Sequence, residues 1–455
     1  MKMTVTQEPR QLVEREFAAH AASGREQVGE MRRGTATYKG VPIKFGYLPK
    51  YFSEEGFGKL KEELEHGWRI LERVIEEYLV SPDYRALFGF PEELEEMILR
   101  RPAYTTLLPV CRLDIFLNEE TGEFRFCEFN ADGSSAMNEN AELCRTYRNT
   151  LLYSEMDRKY EQVMFELFDS WVETFLEIWR DAQQADDWPG SLSGRGPLPA
   201  VAIVDFLEKG SSSAEFEAFR EAFQRAGCTA YVAEIRTLRY EGGNLLTEDG
   251  HVIDAVYRRA VTSDIMANME TVQPFLAAVR DRNVCLIGDF CTQVVHDKVL
   301  FRILHDPRTA AFLREEDNAY IAAHVPYTAI LTREEADRPQ VRWDRDRWIL
   351  KPRDSYGAHG IYPGRLMSLE EWQAQLDARA DTDYILQEFV TPYRTENIFF
   401  GEEEPAWKSF SNMTGVYLYG GRLAGIYSRA SVTPIISVEG DEHEMTSVVL
   451  IERHL

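Results

Sequence analysis

The residues best suited to chemistry in this chain are acidic, basic and amide side chains set two positions apart in otherwise apolar runs. Leu107–Leu117 reads as a strand carrying Arg112 and Asp114 on one face. Phe124-Arg125-Phe126-Cys127-Glu128-Phe129-Asn130 reads as a returning strand that places Glu128 and Asn130 together, because side chains two apart share a face. Between them Asn118–Glu123 has the composition of a turn, so the two strands form a predicted β-hairpin. Asp114, Glu128 and Asn130 then converge. Two carboxylates and an amide suit a hard octahedral cation such as Mg²⁺, whose other positions go to phosphate oxygens and water. Arg112 beside them is free to meet a phosphate. Two negative charges held together without a cation are costly, so Glu128→Gln is expected to leave folding intact or improve it in the metal-free protein. The competing reading is a charged surface hairpin.

Three further segments offer ligands for an anion or a base. Trp348–Ile361 sets Lys351 at the end of an apolar strand, followed by a short loop with Ser355, Gly357 and Gly360. Glycines let backbone N–H groups approach a phosphate, and the lysine supplies a point charge. It lacks the Gly-Lys-Ser/Thr order of a Walker loop, and an exposed turn explains it equally well on its own. His296-Asp297-Lys298 opens a helix after Val294-Val295. Tyr384–Val390 is a strand ending in Gln387-Glu388, a polar pair able to face an adenine amino group or simply to belong to a sheet. Tyr257-Arg258-Arg259 ends a strand of a parallel sheet, where ligands gather. Either arginine could clamp a substrate carboxylate or bridge a domain interface. His296, His359 and His443 are expected on the surface or in loops.

The elements that must position these groups follow from composition and period. The 455 residues allow two to four domains. Lys plus Arg number 51 against 76 for Asp plus Glu, a net charge of −25 that disfavours nucleic acid and anionic lipid as partners. Met1–Arg10 has no apolar core of signal-peptide type and no uncharged run approaches a membrane span. A soluble cytoplasmic protein is therefore expected. Six cysteines without a CxxC pair point to reduced thiols rather than zinc or disulfides. Residues 59–80 and 155–180 read as long amphipathic helices. Residues 184–199, rich in Gly, Pro and Ser, form a linker. Beyond it, strands at 201–206, 230–235, 252–258 and 284–289 alternate with helices at 213–226 and 273–281, a Rossmann-like layering without GxGxxG. From 290 onward a helix at 294–304 precedes strands at 348–351, 384–389, 397–400, 409–416 and 423–428.

Taken together, the segments resemble the ATP-grasp ligases. They are most similar to the circularly permuted branch that holds the synthetase part of glutathionylspermidine synthetase and, more distantly, eukaryotic glutathione synthetase. The likeness covers residues 105–140 and 250–435. Arg112-x-Asp114 with Glu128-Phe129-Asn130-Ala131-Asp132 matches the branch's metal motif. Lys298 and Lys351 resemble its two nucleotide lysines, Ser355, Gly357 and Gly360 its phosphate loop, and Gln387-Glu388 its adenine hinge. Gly420–Arg429 resembles its closing segment, which puts Arg429, with Arg112, at the reacting phosphoryl group. The resemblance implies an α/β and α+β protein: a helical region over 1–105, a metal-binding hairpin and long helix over 106–183, a Rossmann-like substrate domain over 200–290 that would seat a substrate on Arg258 or Arg259, and nucleotide-binding lobes over 291–455. It implies ATP and Mg²⁺, a small-molecule or peptide carboxylate and an amine, joined through an acylphosphate. No Cys/His amidase region precedes the synthetase segments, so hydrolysis of an amide product is not expected. A phosphotransferase on the same scaffold and a non-catalytic nucleotide-binding protein are the alternatives.

Overall fold

The computed structural model describes residues 3–185, 192, 194–207, 213–355, 359–401, 404–437 and 440–453. Three sheets bear on function. The first is antiparallel, in the order Glu442–Met445, Arg422–Ser431, Lys408–Tyr419, Val110–Leu117, Phe124–Asn130, with Arg394–Asn397 pairing on Lys408–Tyr419. The hairpin from early in the chain thus completes a sheet made late in it. Gly420 and Gly421, at φ +52° and +79°, make the tight turn joining two of its long strands. The second sheet is parallel, in the order Cys285–Ile287, Ala255–Arg258, Ala200–Asp205, Thr229–Glu234. The third packs Thr328–Ile330, Tyr384–Glu388, Trp348–Pro352 and Tyr362–Pro363 antiparallel, and Trp372 and Leu376 of helix Leu369–Arg379 cover it.

Helix Glu54–Val80 buries Leu60, Leu64, Leu71, Val74 and Ile75 along one stripe, and Ser53 caps it by accepting from Gly56 N at 3.0 Å. Its core runs without a break into Leu113, Phe126 and Phe129 of the hairpin and Phe301 beyond. Among the described residues no helix is long and apolar enough to cross a membrane. All six cysteines are free thiols.

Four expected elements differ. The helix expected over 155–180 is interrupted: Leu151–Asp157 ends, Tyr160–Met164 pairs with Ser447–Glu452, and a new helix spans Asp169–Ala182. The apolar residues there satisfy both periods, and the C-terminal strand supplies backbone partners that decide for a strand. The strand expected over 252–258 splits at Asp254. Val252–Ile253 joins a small antiparallel sheet and Ala255–Arg258 the parallel one. The helix expected over 294–304 breaks into Gln293–His296 and Leu300–Ile303. There the Asp297 carboxylate accepts from Val299 N at 2.8 Å, a side-chain bond that competes with helical continuation. The strand expected over 397–400 lies at Arg394–Asn397 instead.

Candidate active site

The hairpin sets the geometry. Arg112 lies opposite Asn130 and Asp114 opposite Glu128, and the register then shifts so that Ile115 faces Phe126 and Cys127 is left unpaired. This bulge lets Phe126 and Phe129 pack together in the core, ring centroids 5.0 Å apart, while Glu128 and Asn130 face a cavity of about 620 Å³. The neighbouring strand sets Gly415 beside Asp114. A Cβ at 415 would lie 2.8 Å from Asp114 Oδ1 and 2.9 Å from Arg112 Cδ. Only glycine leaves room there for those side chains to cross the sheet.

Asp114 is the hub. Arg112 donates to both of its oxygens, from Nε at 2.7 Å and Nη2 at 3.1 Å. Arg429 Nη2 donates at 2.6 Å and Asn130 Nδ2 at 3.1 Å. Glu128 meets the ammonium of Lys298 at 2.7 Å. Burial pushes the Glu128 carboxyl up, but the adjacent Lys298 charge and hydrogen bond, with Lys351 beyond, outweigh it and hold the group at about 2. Lys298 also donates to Ser355 O at 2.7 Å. Lys351, at its strand's end, donates to Cys127 O at 3.2 Å and Gln387 Oε1 at 2.8 Å. Glu388 lines the same cavity. The chain therefore gathers Arg112, Glu128, Asn130, Lys298, Lys351, Ser355, Gln387, Glu388 and Arg429 around one space, with Asp114 buried beneath them.

Other expected residues stand elsewhere. Arg258 does not line the cavity: it is 3% exposed and bonds Asp132 at 2.7 Å, Ala260 O at 2.8 Å and Thr262 Oγ1 at 3.1 Å. Every donor direction is spent on protein, which makes it a clamp between the loop after the hairpin and the parallel sheet. Arg259 does line the cavity, held by Glu215 at 2.6 Å and by the Tyr257 hydroxyl at 3.0 Å. Gly360, at φ +69°, turns its loop against Pro352 and Tyr384 and is not part of the cavity wall. Gly357 lies outside the described residues. His296 is buried and lines the cavity, and His443 packs between Phe399 and Phe410, so neither is a surface residue.

Lys298 stands in the break between two short helices rather than at a helix start; its own N–H donates to Arg353 O at 3.0 Å. Sequence reasoning missed Gly415, Glu139, Glu442 and Glu444. Gly415 sits in an unremarkable strand pattern, and the three glutamates come together only through tertiary packing. Burial, with Glu215 nearby, pushes the Glu139 carboxyl up to about 7, and burial also raises Glu442 and Glu444.

No family model and no curated protein matches the chain. A glutathione synthetase-like effector from Globodera pallida, solved in its apo form, aligns over 97% of this chain and 98% of its own, with a TM-score of 0.56 and 11% identity. The chain has a glutathione synthetase-like fold. A candidate gamma-glutamylcysteine synthetase from Methylobacillus flagellatus aligns over 83% of this chain and 86% of its own at 10% identity, but its TM-score of 0.39 carries no argument. That shared fold says nothing by itself of activity, so the chemistry rests on the cavity.

For a metal, the donor set can be tested directly. Among the described residues no group of three or more His, Cys, Asp or Glu could cage an ion alone. Two carboxylates facing each other in register, with the Asn130 amide oxygen left over once Nδ2 has donated to Asp114, fit instead a cation that takes most of its ligands from phosphate and water.

Proposed function

We propose that the protein is an ATP-dependent carboxylate–amine ligase of ATP-grasp type, resembling the synthetase region of glutathionylspermidine synthetase, that forms an amide through an acylphosphate and releases ADP and phosphate. The observation that carries this reading is the facing pair Asp114 and Glu128, ringed by four cations from separate parts of the chain: Lys298 on Glu128, Arg112 and Arg429 on Asp114, and Lys351 across the cavity. Phosphoryl transfer needs little covalent help from a protein. It needs charge neutralisation and alignment of the phosphates, and this ring supplies both.

Lys298 and Lys351 hold the phosphates that are not transferred. Lys351 is kept extended by Gln387, and Gln387 by the Thr328 hydroxyl at 3.0 Å. Glu388 faces the base of the nucleotide. Arg112 and Arg429 stabilise charge on the phosphoryl group that moves. Asp114, Glu128 and Asn130 would hold Mg²⁺, which when bound neutralises the polyphosphate. Arg259 offers a guanidinium to a substrate carboxylate at the end where the parallel sheet meets the cavity.

The deciding measurement is ADP release from ATP with panels of amino-acid and short-peptide carboxylates and of amines. Release that needs both partners supports ligation. Release with a carboxylate or hydroxyl compound alone supports a phosphotransferase, and AMP with pyrophosphate would sink the acylphosphate route. The absence of release and of ATP binding would leave neither.

A further inference from the structure

We propose that Glu442 is the proton acceptor for the incoming amine, a role that rests on the ligase reading above. Its strand, Glu442–Met445, pairs with Arg422–Ser431 so that Glu444 lies opposite Arg429 and Glu442 opposite Ser431. The Glu442 side chain is 5% exposed, lines the cavity, and among the described residues its Oε2 accepts no hydrogen bond; Arg429 Nη1 stands 3.8 Å away. A buried carboxylate oxygen without a donor costs free energy that a purely structural residue has no reason to bear.

Its place gives the reason. Arg429 spends Nη2 on Asp114 and turns Nη1 toward Glu442, so this carboxylate lies across the guanidinium from the metal-binding face, beside where the acyl carbon must be presented. The surrounding charges are mixed. Arg112 and Asp114 come from the hairpin, Glu139 from helix Met137–Tyr147, Tyr427 and Arg429 from the adjacent strand, Glu444 from its own strand, and Lys39 from the N-terminal hairpin Thr37–Pro42. Among these charges Asp114 favours proton uptake by Glu442, and Arg112 opposes it. Burial raises the Glu442 carboxyl and Arg429 opposes it, which leaves a base better matched to neutral pH than a surface carboxylate.

An alkylamine arrives protonated at pH 7, as a lysine would. Glu442 takes one proton and frees the nitrogen lone pair. That pair forms the C–N bond as the bond from acyl carbon to phosphate oxygen breaks, and phosphate departs with the bonding pair and accepts the second proton. Glu444 Oε2 likewise has no hydrogen-bond partner among the described residues, but a bond with Tyr427 pulls against its raised carboxyl, whereas it is Glu442 that Arg429 Nη1 faces.

The test compares two nucleophiles. Hydroxylamine is neutral at pH 7 and traps an acylphosphate as a hydroxamate without needing a base. Glu442→Gln keeps the side chain's size, and ATP affinity by calorimetry reports whether the variant is folded; Glu442→Asp, which keeps a carboxylate, should recover part of the lost rate. With a carboxylate that the wild-type protein activates, ligation to an alkylamine should fall ~100-fold or more in Glu442→Gln, and hydroxamate formation by less than about fivefold. Equal losses with both nucleophiles, or undiminished ligation, would overturn the role of Glu442 alone. No hydroxamate from the wild-type protein with any carboxylate would remove the ligase reading and the inference with it.

Discussion

At the scale of single residues, protein cations compensate the clustered carboxylates, and this reverses an expectation drawn from that clustering. Glu128 is not an uncompensated charge awaiting a metal, because Lys298 sits 2.7 Å away. Glu128→Gln leaves a buried ammonium without its counter-charge. Breaking a buried pair costs ~3–5 kcal/mol; with the Glu128 side chain 25% exposed, about 1–2 kcal/mol is the better expectation. Its pH dependence follows from a carboxyl held at about 2. A depressed folded-state pKa stabilises fully above the ordinary glutamate value of ~4.3 and loses that contribution as pH falls toward 2. The stability gap between wild type and Glu128→Gln in urea should therefore be constant near pH 7 and close between pH ~5 and ~2. An unchanging gap would mean that the pair contributes nothing. Turnover should fall by orders of magnitude in the same variant and respond abnormally to Mg²⁺. Lys351 makes the complementary case. Its hydrogen-bond partners Cys127 O and Gln387 Oε1 are neutral acceptors, so a phosphate oxygen would add the charge-assisted bond they do not supply. A hydrogen bond to a charged group is worth ~1.5–3 kcal/mol, so Lys351→Ala should weaken ATP binding by ~10–100-fold in calorimetry. Unchanged affinity would reject this lysine as a phosphate ligand.

At the scale of elements, the site belongs to a sheet rather than to a loop. One row across it runs Glu128, Asp114, Gly415, Tyr427, and the Arg429 row lies two residues further along. Gly415 is the gap across which the Arg112 side chain lies beside Asp114. Gly415→Ala puts a methyl group against Asp114 Oδ1 and the middle of the Arg112 chain. The backbone can stay, so stability should drop by no more than ~1–3 kcal/mol, the usual range for overpacking. The carboxylate and guanidinium must move, and a misplacement near 1 Å costs ~100-fold in rate. A variant with full activity would show that the Arg112–Asp114 geometry does not matter to turnover.

At the scale of the whole molecule, the cavity is walled by many parts of the chain: the N-terminal hairpin, the hairpin of Arg112 and Glu128, the parallel sheet, the segment around Lys298, and the strands carrying Lys351 and Arg429. A ligand filling it ties those parts to one another. Ligand bound only by the folded state stabilises it by ~2.7 kcal/mol at 100 times its Kd. ATP with Mg²⁺ should thus raise the unfolding temperature as a single concerted shift, without any carboxylate or amine present. A shift confined to one of several separate transitions would show that the nucleotide engages one lobe alone.

Local chemistry in the chain determined the hairpin and the shared setting of Arg112, Asp114, Glu128 and Asn130 on it, because the turn at 118–123 and two-residue alternation leave little freedom once Phe126 and Phe129 must be buried. It also determined the parallel α/β layer and the strand end carrying Lys351, where apolar runs and helices alternate cleanly. Other features depended on partners far along the chain. Tyr160–Met164 became a strand because residues 447–452 pair with it, although its apolar spacing equally suits a helix. Arg258 and Arg259 are adjacent and chemically identical, yet one is walled in and the other faces the cavity, a difference set by the loop carrying Asp132 and Ser134 packing onto them. Glu139 and Glu442 are some three hundred positions apart and share a cavity wall only because the late strands close over the early hairpin. Periodicity along a chain fixes which face a side chain occupies; which residues meet across that face is decided by long-range packing, whose energy is not encoded in any one segment.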